Sequence, residues 1–449
     1  MVKKFKFKKL MLAMPLALLM GSQVQAETIT IGIGHQSTVT NTVPGGIILE
    51  KLGLLEKHLP SDGKYKGVDY ELVYKDYTSG PPITNQMLAG KLAFGVMGDY
   101  PLIVNGAKFE KTGRAESRFI AVTGYNLKGT GNGIVVPVGS DVYSLEQLEG
   151  KAISTPVGSA AWGMTLKVLR DNDLMDKVQL KNQSPPVGVN NIAQGKIDAH
   201  SDFCPWSEVM EFRGTGRKIY DGSEAGIPTF HGTVVSTKFA KKYPEIVQAY
   251  VDATLEAQDW ISNDPVLAAT KVSEWTGIEK EVLYLYFSKG GISTFEASIK
   301  PEWVEALKYD HALLVKEKNI PPLSFDKWLD ATYVKAAYKA RGQDYAALAS
   351  SVVTPKIDDP ALAPAEMWVD GAGIMSFTSV AAMTKVHAAL VKAGEKINAT
   401  YVYDKATGLK LFGHVAFYVK TPTGELVTFM KKGDADKAKG TLVAWADVK

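Results

Sequence analysis

One cysteine, Cys204, stands among 449 residues. A lone thiol excludes an internal disulfide and any multi-cysteine metal site. An excess of charge of either sign is missing too, since 51 Lys and Arg face 48 Asp and Glu. Nucleic acid calls for a concentrated basic surface, so it is not an expected partner. Past residue 26 there is no run of 18 uninterrupted apolar residues, hence no later candidate for a membrane span. Enzyme signatures are missing as well. The chain has no Gly-x-Ser-x-Gly, no His-Glu-x-x-His, no phosphate loop ending in Lys-Ser/Thr and no Gly-x-Gly-x-x-Gly after a strand. The expectation is a binding protein rather than an enzyme, without metal or cofactor.

What the chain does have is a repeat. Ile48-Leu49-Glu50-Lys51-Leu52-Gly53-Leu54 is answered by Val168-Leu169-Arg170-Asp171-Asn172-Asp173-Leu174, and Ser79-Gly80-Pro81-Pro82 by Ser184-Pro185-Pro186. Ala89-Gly90-Lys91-Leu92-Ala93 returns as Gln194-Gly195-Lys196-Ile197-Asp198. With two copies at offsets of 120 and 105 residues, this is no solenoid, whose period is about 20–50 residues. Two similar α/β lobes with a cleft between them are the simpler reading.

Residues 1–26 read as an export signal: five lysines, an apolar stretch over 10–20, and Val24-Gln25-Ala26 as a cleavage site. Without them the formal charge falls from +3 to −2, and the expected location is the periplasm. The rest is too long for one core. Strand patterns at 28–34, 70–75 and 92–97 alternate with helical patterns at 44–57 and from Pro81, an order that specifies a parallel sheet with crossover helices. A second such series follows: strands at 133–138, 152–155, 178–180 and 197–203, with helices at 160–172 and 186–194. A strand over 229–236 returns to the first lobe. Lobe I is therefore expected at 27–124 and 228–348 and lobe II at 125–227. Crossings near 124–133 and 222–230 would form the hinge, and Gly129-Thr130-Gly131-Asn132-Gly133 belongs to it. Residues 349–365, rich in proline, read as a linker. Residues 366–449 read as a small α+β unit.

In open α/β sheets ligands bind beyond the carboxyl ends of the strands. That rule selects the loops 34–38, 78–82, 98–101, 158–162 and 202–206. Ser79-Gly80 and Gly158-Ser159-Ala160 are small residues just before helices, where uncovered N–H groups at the positive end of the dipole attract an anion. Pro81 belongs to the same loop. Tyr100, Trp162 and Trp206 are candidates to wall an organic substituent. Asp99 and Asp202 either accept from a ligand or cap turns. His35 and His231 read as structural, and Cys204 as an inert buried thiol.

Tyr77-Thr78-Ser79-Gly80-Pro81-Pro82, Gly98-Asp99-Tyr100-Pro101, Val157-Gly158-Ser159-Ala160-Ala161 and Gln194-Gly195-Lys196-Ile197-Asp198-Ala199 carry a family likeness. So do Phe239-Ala240-Lys241-Lys242-Tyr243-Pro244-Glu245 and the helix reaching Trp260. In this order the segments resemble the periplasmic solute-binding proteins of the nitrate/taurine/aliphatic-sulfonate transporter family over about residues 27–348. The resemblance implies a two-lobed type II clamshell that closes on a small, sulfonate-like anion. It also implies delivery to an ABC-importer permease, with only peripheral contact at the membrane complex. Matched by position, Gln36, Ser37 and Thr38 form the first ligand loop, Ser79 and Gly80 the second, and Ser159 and Ala160 the third. Asp202 and Trp206 fall over the ligand's organic end. Asp202-Phe203-Cys204-Pro205-Trp206 departs from the Trp-Ala-Pro type segment of taurine binders, which argues against taurine itself. Nitrate and thiamine-pyrimidine precursors stay open as ligands. The tail weakly resembles the accessory copper chaperone of nitrous oxide reductase. By that likeness Met367, Met375, Met383, Met430 and His414 are candidate Cu(I) ligands, with core packing of the methionines as the alternative.

Overall fold

A computed structural model describes residues 27–113, 116–316, 320–351 and 362–448. The export-signal reading at 1–26 and most of the interval 349–365 lie outside these residues. The strand Thr28–His35 alternates exposed and buried residues at its start and is then buried throughout. Its neighbours explain the change: Asp69–Asp76 lies parallel on one side and Phe94–Gly98 parallel on the other. The lobe I sheet runs Asp69–Asp76, Thr28–His35, Phe94–Gly98, Thr229–Ser236, Ser117–Asn126, Ser293–Thr294. The lobe II sheet runs Gln179–Asn182, Ala152–Thr155, Ala199–Asp202, Gly133–Pro137, Gly216–Asp221.

The two orders agree over five strands, with Ser293–Thr294 added in lobe I, so the repeat seen in the sequence is also a repeat of topology. Neither sheet is wholly parallel, which corrects the expectation. In each lobe the fourth strand is antiparallel to both neighbours. That strand is the one arriving from the other lobe, so it enters the sheet from the opposite end. Other corrections are local. The single helix expected over 44–57 is split into Thr40–Gly45, Ile47–Leu52 and Leu54–His58: Gly46 leaves the helical region at φ −139°, ψ −96°, and Gly53 turns left-handed at φ 62°. The loop expected at 98–101 is instead the start of the helix Asp99–Thr112.

The helix Pro244–Asn263 buries Val247, Tyr250, Val251, Thr254 and Leu255 against lobe I. Each such apolar side chain contributes roughly 1.5–3 kcal/mol. Trp260 is half-buried and stacks on Trp275 at 6.0 Å. The two crossings, 127–132 and 222–228, touch where Gly129 and Gly131 take φ 86° and 85°. The Gly222 N–H donates to the Asn132 carbonyl at 2.8 Å, and Asn126 Nδ2 to the Thr130 carbonyl at 2.7 Å.

Residues 365–448 form a four-stranded and a three-stranded antiparallel sheet with the helix Val380–Ala393. Ser379 caps that helix and Gly394 ends it at φ 84°. Met367 and Met383 are fully buried in the apolar core of this unit. His414 Nε2 faces the Glu211 carbonyl at 3.2 Å, away in lobe II. The unit also docks on lobe I. Lys410, completely buried, pairs with Glu366 and donates to Ser288 Oγ at 2.8 Å. The rings of Tyr284, Tyr401 and Tyr403 stand 5.1–5.7 Å from its ammonium. At the seam between the lobes and the tail, buried Lys218 meets Glu208 at 2.5 Å, Asp221 at 3.4 Å and Glu211 at 3.6 Å.

Candidate functional site

The strand ends of the two lobes face each other across a cavity of about 390 Å³. Lobe I contributes Gln36 after its first strand, Ser79, Gly80, Pro81 and Pro82 after its second, Gly98 and Pro101 after its third, and His231 from the return strand. Lobe II answers with Pro156, Val157, Ser159 and Ala160, then Asn182, Ser184 and Pro185, then Phe203. Five of these residues are prolines, and among the described lining residues none is Lys, Arg, Asp or Glu. The wall is thus rigid and largely apolar, and neutral donors supply its polarity.

The helix ends differ in what they offer. Ser159 caps Ala160–Asp171, its Oγ accepting from Trp162 N at 3.2 Å. Ala160 and Ala161 keep N–H groups that have no partner inside the helix. In Gly80–Leu88 the expectation of several free N–H groups fails. Pro81 and Pro82 carry none, so Gly80 is the remaining backbone donor of that first turn and the Ser79 hydroxyl makes no cap bond. The helix Pro185–Ala193 starts Ser-Pro-Pro, without the glycine that precedes the two prolines in lobe I.

Two polar atoms in the wall are buried without a partner, Gln36 Oε1 and His231 Nδ1. Burial lowers the His231 pKa to about 3, so the ring is neutral. A neutral imidazole can donate or accept one hydrogen bond without bringing charge.

Several expected residues lie elsewhere. Ser37 gives both N–H and Oγ–H to Asp76, at 2.7 and 2.6 Å, and fixes the first loop to the edge strand. Thr38 is half-buried in that loop, off the cavity wall. Asp99 accepts from Tyr100 N at 2.7 Å and from Thr229 Oγ1 at 2.8 Å, and burial raises its pKa to about 6. Tyr100 and Trp162 pack edge-on against each other at 6.3 Å, beside the cavity rather than around it. Asp202 is engaged by His200 Nε2 at 2.8 Å and Phe203 N at 2.9 Å. Trp206 opens a helix and packs into the core, leaving Phe203 as the ring that reaches the cavity. Burial pushes the Cys204 thiol up to about 12, consistent with an inert group. His35 packs against Gly46 and edge-on to Tyr74, off the wall.

The sequence reading passed over Ser184, Pro185 and Asn182, selected the loop 202–206 without singling out Phe203, and read His231 as structural although it lines the cavity. The repeat itself could have found Ser184 and Pro185, as the counterparts of Ser79 and Pro81.

Residues 79–268 match the family described as NMT1/THI5 like. The chain is 27% identical over 200 residues to the taurine-binding periplasmic protein of Escherichia coli (strain K12), covering 43% of this chain and 58% of that protein. It is 24% identical over 268 residues to the putative aliphatic sulfonates-binding protein of Bacillus subtilis (strain 168), covering 59% and 74%. Among solved structures, the alkanesulfonate-binding protein SsuA of Xanthomonas axonopodis pv. citri, bound to MOPS, superimposes with a TM-score of 0.57 at 19% identity. That match covers 68% of this chain and 100% of SsuA. The periplasmic nitrate-binding protein NrtA of Synechocystis PCC 6803 gives 0.52 at 14%, covering 70% and 89%. The chain is thus related in sequence to the two sulfonate-type binding proteins and shares the type II two-lobed fold of the two solved structures.

Proposed function

We propose that the protein is the periplasmic solute-binding component of an ABC importer, exported by residues 1–26 with cleavage after Ala26. It binds a small organic sulfonate between its lobes and presents it to a membrane permease. The observation carrying this reading is the cavity at the facing strand ends, with Ala160, Gly80, Ser79 and Ser159 as neutral donors. A sulfonate needs several donors but no counter-cation, since hydrogen bonds to an ionised group are themselves the strong kind.

The rest of the wall narrows the class. No carboxylate lines the cavity to pair an ammonium, and prolines with Val157 and Phe203 receive the organic end. An alkane- or arylsulfonate without a positive charge therefore fits better than taurine. A cavity of about 390 Å³ is also much roomier than nitrate requires.

A thermal-shift screen against alkanesulfonates, taurine, nitrate, carboxylates and pyrimidines tests the reading, followed by calorimetry. A true ligand at 100 times its dissociation constant stabilises by about 2.7 kcal/mol. Uncharged-tail sulfonates should give the largest shift. Stabilisation by nitrate or a pyrimidine alone would overturn the assignment.

A further inference from the structure

The tip of the Tyr100 ring, from lobe I, rests on the bare backbone of Gly163 in lobe II. A Cβ at residue 163 would stand 1.9 Å from Tyr100 Cζ and 2.2 Å from its hydroxyl oxygen. At such distances any side chain larger than hydrogen forces the Tyr100 ring to move. The ring is held from its own lobe, in the helix Asp99–Thr112, whose neighbour Pro301–Lys316 brings Asp310 to the same seam. Trp162 meets it edge-on from lobe II. Neither Tyr100 nor Gly163 reaches the wall of the large cavity; both border a separate void of about 30 Å³ beside it.

We propose that Tyr100 and Gly163 are the pair that sets lobe closure, so that affinity depends on a contact the ligand never touches. This rests on the solute-binding reading above. A ligand that bridges the lobes draws its affinity partly from the population of the closed form. Adding a Cβ at residue 163 penalises that form alone. In the open form the same change sits in a helix interior, where alanine is favoured over glycine. The substitution thus separates closure from folding.

Spin labels on Lys75→Cys and Lys181→Cys read the lobe separation by pulsed electron paramagnetic resonance. Both lysines are exposed, one residue before the ends of the equivalent edge strands Asp69–Asp76 and Gln179–Asn182. Cys204 is buried and stays unlabelled. With a saturating alkanesulfonate the parent chain should show one short distance. Gly163→Val should move it to longer distances and raise Kd at least tenfold, while its thermal melting confirms folding. Tyr100→Ala added to Gly163→Val should restore the short distance and recover most of the affinity. Parent-like distance and affinity in Gly163→Val, or no relief from Tyr100→Ala, would overturn the pair. Should no sulfonate bind the parent, the functional reading falls separately, and the ligand-free distances of the three chains still decide the pair. Gly163→Ala serves in the same scheme if valine prevents folding.

Discussion

Gly222 and Gly129 touch where the two inter-lobe segments cross: a Cβ on Gly222 would stand 2.0 Å from the Gly129 carbonyl oxygen. The obstacle is backbone, which cannot swing aside like a side chain. Gly222→Ala should therefore cost about 1–3 kcal/mol, the range for overpacking a tight site. Urea denaturation checks this; a change below about 0.5 kcal/mol, typical of an open surface position, would mean that the crossing yields freely.

Ala160→Pro removes one candidate ligand donor without disturbing the helix. Proline is favoured at the first helical position, and Ser159 already has the extended backbone (φ −93°, ψ 170°) that a following proline requires. Sulfonate affinity should fall about 10-fold or more, the value of a hydrogen bond to a charged group, with the melting temperature nearly unchanged. Parent-like calorimetry would remove this N–H from the site.

His231 should add no pH dependence to sulfonate affinity between pH 5 and 8. Protonated His231 would strengthen anion binding, but its pKa lies at about 3, so it takes up no proton in that window. Calorimetry of the parent and of His231→Gln at three pH values decides this, and tighter binding on acidification that is lost in the variant would show that the ring does charge.

Glu211 gives stability a definite pH slope. Burial lifts its pKa from 4.5 to about 7, against the opposing attraction of Lys218. The folded state thus holds an extra proton between those values. Its contribution is complete below pH 4.5 and is lost as pH rises through 7. Glu211→Gln cannot titrate, so its stability relative to the parent should rise from pH 5 to pH 8, by on the order of 1–3 kcal/mol. A parallel pair of stability curves would contradict the shift.

Lys410→Met should destabilise the docked tail by about 3–5 kcal/mol, because it leaves Glu366 buried without its cation. Adding Glu366→Gln should recover much of the loss. Denaturation of the single and double variants measures it, and equal stabilities for both would mean the pair is weakly coupled.

Much of the architecture was legible along the chain. The return strand falls at Thr229–Ser236 as expected, and the Ser-Gly-Pro-Pro and Ser-Pro-Pro segments open helices in the two lobes. Strand direction was not legible in the same way: a strand has one hydrophobic pattern whichever way it runs, so Thr229–Ser236 and Gly133–Pro137 gave no sign of being antiparallel. For the site, Gln36, Ser79, Gly80, Pro81, Ser159 and Ala160 reach the cavity, whereas Asp99 and Asp202 are engaged by groups in their own segments and beside them.

The sequence by itself determined the repeat and the helix starts near residues 80, 160 and 185, because propensity, capping and period act over a few residues. Only the tertiary structure decided which strand-end residues face one another. Phe203 rather than Trp206 reaches the gap, and Tyr100 meets Gly163 beside the cavity rather than lining it. Those outcomes depend on how one lobe is turned against the other, a long-range relation that no local pattern encodes.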